Sequence, residues 1–164
     1  MTTVWVICGA GRGVGKTYVA QRLCAVLPGA LYVKCGHGPA KSGKPNAFVT
    51  GEAGLEQFLA EHAPAHEHVV VESNAFARRG RGDVILYLEG VPAGTERRED
   101  AEALAARADA VVGDRPCPVA WRRQLEAKLG PGPVLEAALG VLVEQAAYRG
   151  QVGRGEGVSV DAAR

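Results

Sequence analysis

The run Ala10-Gly-Arg-Gly-Val-Gly-Lys-Thr17 sets three glycines, a lysine and a hydroxyl side by side. Such a run can hold phosphate. Gly11, Gly13 and Gly15 let the backbone take positive φ and turn its N–H groups inward onto phosphate oxygens. The spacing matches G-x-x-x-x-G-K-[ST] with Ala10 in the first place, so Lys16 can reach terminal phosphates and the Thr17 hydroxyl can ligate Mg2+. The apolar run Val4 to Cys8 precedes it and a helix-like run, Tyr18 to Leu27, follows. A helix starting there adds partial positive charge at the same spot. Ala10, Gly11, Arg12, Gly13, Val14, Gly15, Lys16, Thr17 and Tyr18 are therefore the expected nucleotide-binding stretch.

A second acidic group belongs at the carboxyl end of a neighbouring strand, where open α/β sheets bind ligands. Glu72 ends the apolar run Val69-Val-Val71 and fits that position. A carboxylate there can hold Mg2+, directly or through water, and orient an attacking group. Lys16 and Glu72 are the expected catalytic pair, Thr17 and Glu72 the expected metal pair. Lys34, Cys35 and His37 close the second strand, and Lys41 and Lys44 follow in a Gly- and Pro-rich loop. Lys34, His37 and Lys44 suit a second, anionic small molecule, a phosphate or carboxylate. Cys35 and His37 can join Cys117 on a soft metal, but two ligands make no site and no partner spacing accompanies them. Arg78, Arg79 and Arg81 fall in the stretch from Asn74 to Gly82. An arginine there can serve a transition state, but a basic loop in water is the plainer reading. Asp114 and Arg115 follow the fifth strand, where Asp114 can accept hydrogen bonds from a guanine edge.

The elements that must position these residues alternate between apolar runs and helical patterns, the signature of an α/β fold with a parallel sheet. About five strands are expected: Val4 to Cys8, Ala30 to Lys34, Val69 to Val71, Asp83 to Leu88 and Ala110 to Val112. Helices are expected over Glu52 to His62 with Thr50 as cap, Glu96 to Arg107, Val119 to Leu129 and Val134 to Arg149. Residues 1–149 read as one nucleotide-binding domain and 150–164, glycine-rich and without apolar periodicity, as a flexible tail. A net charge of +1 gives no global field to draw the chain onto nucleic acid or anionic membrane. No stretch approaches a membrane span, and no signal peptide is evident at Met1 to Val4. Four cysteines without paired spacing suit a reducing compartment, so a cytoplasmic protein is expected.

The glycine loop, Val33-Lys34 followed by His37, Ser42-Gly-Lys44 and the strand ending in Glu72 together resemble one branch of the P-loop proteins. That branch contains the molybdopterin-guanine dinucleotide biosynthesis adaptor (MobB) family and dethiobiotin synthetase. The resemblance spans residues 4–115. It implies a P-loop NTPase three-layer sandwich, GTP or ATP with Mg2+, slow hydrolysis, a homodimer and a role in molybdenum-cofactor maturation. The dethiobiotin-synthetase side implies an ATP-dependent ligase or small-molecule kinase instead, and a nucleotide-dependent switch is a third reading. Where the MobB family has an aspartate after its Gly-Lys, this chain has Pro45-Asn46.

Overall fold

The apolar run before the glycine loop becomes the central strand of a parallel sheet in the computed structural model, which describes residues 1–37 and 46–153. This strand, β1 (Thr3–Gly9), pairs with β4 (His68–Glu72) on one side and β5 (Val84–Leu88) on the other. Beyond β4 lie β2 (Ala30–Gly36) and β3 (Ala47–Thr50), and beyond β5 lies β6 (Ala110–Val112). The order is β3-β2-β4-β1-β5-β6, parallel throughout. Both central partners are buried along their whole length, as near-continuous apolar runs covered on both faces should be.

Handedness then places the helices. The chain moves one way across the sheet from β1 to β2 and the other way from β4 to β5. Right-handed crossovers therefore put α1 (Lys16–Val26) on one face and α3 (Asn74–Arg78) on the opposite one. α6 (Pro133–Gly153) packs on α1, with α5 (Pro118–Leu129) beside it, while α4 (Ala101–Arg107) packs on α3. α2 (Gly51–His62) returns the chain from β3 to β4. The result is a three-layer α/β sandwich. Its core runs through the sheet, with Trp5, Ile7, Leu23, Leu86 and Leu104 fully buried. Trp5 Nε1 donates to His68 Nδ1 at 3.3 Å, and burial lowers the His68 pKa, so this imidazole packs neutral at the end of the sheet remote from the glycine loop.

The sheet has six strands rather than five. The extra one, β3, is a four-residue edge strand with only Phe48 and Val49 as apolar signal, too short to show period-two patterning, and it pairs with β2 alone. A second correction concerns residues 96–107. Helix is confined to Ala101–Arg107, because Arg97 and Arg98 are drawn out of helical geometry. Arg97 bonds Glu89, and the Arg98 backbone N–H donates to the Ala10 carbonyl at 2.7 Å. The expected basic loop after β4 also contains α3, capped by Ser73 Oγ accepting from the Phe76 N–H at 3.1 Å. α6 runs on to Gly153, and among the described residues no helix is long and apolar enough to cross a membrane.

Candidate functional site

The glycine loop leaves β1 at the switch point of the sheet, where a ligand crevice is expected in this architecture. Gly13 (φ 71) and Gly15 (φ 99) take the expected left-handed backbone, whereas Gly11, expected to do the same, does not and is fixed by space instead. Space is as restrictive as torsion. A Cβ on Gly11 would meet Val91 Cγ1 at 2.7 Å and the Glu96 carbonyl at 3.0 Å, so the segment after β5 lies directly against the loop. A Cβ on Gly15 would overlap the Gln145 amide.

The loop is also held from behind and below. Asn74 grips Gly9 at both backbone groups, accepting from its N–H at 3.0 Å and donating to its carbonyl at 3.2 Å. Gln145, 2% exposed in α6, donates to the Val14 carbonyl at 3.1 Å, and Arg149 donates to the Gly13 carbonyl at 3.3 Å. These bonds satisfy loop carbonyls that would otherwise be left without a donor.

Lys16 opens α1, and its Nζ donates to the Gly11 carbonyl at 2.6 Å. Burial lowers its pKa most; Glu72 opposes this, while Lys34 and Arg98 lower it further. An anion set before Lys16 would relieve that penalty. Thr17 Oγ1 donates to Glu72 Oε2 at 3.0 Å, and Tyr32 OH donates to the same oxygen at 2.6 Å. Burial, then the bond to Glu72, raises the Tyr32 pKa, so the phenol stays a donor. Lys34 Nζ lies 3.1 Å from Glu72 Oε1 and donates to Thr17 Oγ1 at 3.3 Å. The expected metal pair is thus brought together, with an ammonium bridging both members. A hydroxyl and a carboxylate sharing a cation are the hard oxygen set that Mg2+ takes, and Mg2+ needs few protein ligands. The donor set fits that ion.

Of the residues expected to hold a second ligand, His37 lines a cleft of about 370 Å3 in front of the loop. Lys34 is turned onto Thr17 and Glu72, and Lys41 and Lys44 lie outside the described residues. Tyr18 is exposed on α1. Asp114 lines a separate pocket of about 490 Å3 beyond β5 and β6, bordered by Gly90, Pro92 and Arg149, while Arg115 is exposed outside its wall. Because Arg149 reaches the Gly13 carbonyl, this pocket abuts the glycine loop. Cys35 lies on β2 and Cys117 at the start of α5, past β6, which is four strand spacings, roughly 19 Å, across the sheet from β2. Among the described residues no group of three His, Cys, Asp or Glu side chains could hold a metal.

The arginines after β4 are not a bare loop in water. Arg79 pairs with Glu52 and Arg81 with Glu56, tying that segment to α2, and Arg78 pairs with Asp100. Tyr32, Asn74, Arg98, Gln145 and Arg149 are site residues that sequence reasoning passes over. Gln145 alone carries a signal, a polar residue within the apolar stretch of α6. No family model, curated protein or solved structure matches the chain.

Proposed function

We propose that the chain binds the triphosphate of ATP or GTP, with Mg2+, in the 10–17 loop and acts slowly on its terminal phosphoryl group. The observation that carries this reading is the meeting of Thr17, Glu72 and Lys34 within 3.3 Å, directly behind a loop in which Gly13 and Gly15 take positive φ. The loop backbone and the α1 N-terminus would bind phosphate oxygens, with Lys16 leaving the Gly11 carbonyl for a terminal phosphate. Thr17 and Glu72 would hold Mg2+, which when bound neutralises charge on the phosphate oxygens. Glu72, fixed by Tyr32, is placed to orient a nucleophile. The pocket bearing Asp114 and Arg149 is where the base would lie.

The test is equilibrium binding of fluorescent ATP and GTP to the wild type and to Lys16→Ala, with folding checked by circular dichroism. Binding lost in a folded variant is expected. Equal affinity of the two proteins for both nucleotides refutes the reading. A kinase or ligase acting on a second anion is supported by the cationic cleft in front of the loop. The switch reading has less beneath it, since 74–78 is helical, Arg79 and Arg81 are tied to α2 and Arg78 to Asp100. A molybdenum-cofactor role and a homodimer rest on the resemblance alone.

A further inference from the structure

We infer that Arg78 and Arg98 form a seat for the anionic group, phosphate or carboxylate, of a second small molecule in the cleft before the glycine loop. As the second-ligand half of one site, its role rests on the phosphate-loop reading, although its ability to bind an anion does not. The cleft is lined by four cations, Arg12, Lys16, Arg78 and Arg98, and two carboxylates, Glu52 and Glu72. Each carboxylate already has a cation from outside that lining, Arg79 for Glu52 at 2.6 Å and Lys34 for Glu72 at 3.1 Å. The positive charge facing the cleft is therefore left largely uncompensated.

Arg78 closes α3 on one side. Arg98 arrives from the other, on the segment pinned to the loop by its bond to the Ala10 carbonyl. Asp100 holds both, accepting from Arg78 Nε at 3.0 Å and from Arg98 Nε at 2.8 Å. One carboxylate orients two guanidiniums but neutralises one. Fixing the segment to α3 needs only the Arg78 contact, so the second guanidinium is surplus to a structural pin. Each arginine keeps N–H donors free in a planar fork suited to phosphate or carboxylate. Both side chains are partly exposed, at 51% and 41%, so an arriving anion can reach them. Arg98 is also close enough to lower the Lys16 pKa, which puts the seat beside the terminal phosphate. The volume of about 370 Å3 suits a small molecule, and among the described residues no Phe, Tyr or Trp lines the cleft to stack a nucleic-acid base.

The test saturates the protein with Mg2+ and the imido analogue of ATP or GTP, filling the terminal-phosphate position, and titrates inorganic phosphate and, separately, succinate by calorimetry. At least one should bind, about tenfold more weakly in Arg78→Met and in Arg98→Met and unchanged in Arg123→Met, an exposed arginine on α5 away from the cleft. Arg98→Lys keeps the cation and should recover part of the loss. The same titration of Lys16→Ala without nucleotide reads the seat apart from the glycine loop. If the analogue does not bind but phosphate or succinate still depends on both arginines, the phosphate-loop reading fails and the seat stands. If neither anion binds, or binding ignores both substitutions in proteins folded by circular dichroism, the seat is wrong.

Discussion

Lys34→Met separates two roles for one ammonium. In the free protein Lys34 is the cation for Glu72, whose side chain is 7% exposed, and it reaches Thr17 as well. Removing one member of a buried pair costs about 3–5 kcal/mol. Here Lys34 is 36% exposed and Glu72 keeps the Tyr32 and Thr17 hydroxyls, so the expected loss is about 2 kcal/mol. For a chain of this length that is a fall in Tm of about 4–8 °C in EDTA. The same deletion removes the competitor for the position Mg2+ would take. With nucleotide present, half-saturation should come at a Mg2+ concentration about 30-fold lower, the equivalent of about 2 kcal/mol. Melting curves with and without Mg2+, and Mg2+ titrations followed by nucleotide fluorescence, read the two effects. If Mg2+ dependence is unchanged while binding of an anionic second ligand collapses, the cation-exchange reasoning is refuted. Lys34 would then be a substrate residue, as its place at a strand end first implies.

Four further outcomes are expected. Glu72→Gln keeps volume but loses charge, so turnover should fall far more than nucleotide affinity; equal falls in rate and affinity would place Glu72 in binding alone. Gly15→Ala should abolish nucleotide binding, and adding Gln145→Ala should not restore it, because φ 99 stays strained after the overlap is relieved; full rescue would show that only the collision matters. Burial lowers the Lys16 pKa in the free protein and a bound triphosphate raises it, so affinity is full below the free-protein value and declines as pH rises through it, before the ordinary 10.5; fluorescence titrations between about pH 7 and 10 that show no decline specific to the wild type over Lys16→Ala count against this. Burial pushes the Cys8 thiol up to about 12 and Cys24 to about 11, whereas Cys117 is exposed, so peptide mapping after brief alkylation should find Cys117 first and Cys8 last; early modification of Cys8 would mean that β1 opens.

What the sequence makes legible is local. Glycines that need positive φ, a strand that must be buried on both faces and a helix start each leave a mark within a few residues, so β1, the loop, α1 and Glu72 are readable together. Edge strand β3 leaves almost none, since four residues cannot show alternation. The segment 91–100 misleads for a different reason. Its charges look like a solvated helix, but Arg97 is spent on Glu89 and Asp100 on Arg78, partners outside the segment, and its backbone bonds the loop. Lys34 shows the same limit from the other side: its place at the end of β2 is readable, yet the pairing of β2 with β4 sets it opposite Glu72. Contacts made by long side chains across the sheet have no period, and pattern cannot find them.

Gln145 and Arg149 bond the carbonyls of Val14 and Gly13, residues more than 130 positions earlier in the chain. During synthesis from the N-terminus, the glycine loop is made more than 130 residues before its latch. A nascent chain carrying β1, α1 and even β4 therefore holds an unfinished loop, with the Val14 and Gly13 carbonyls unlatched and no α6 behind it. The high sequence separation of these contacts makes their closure a late and slow step, and on the nucleotide-binding reading proposed above the site is complete only after α6 has packed behind the loop.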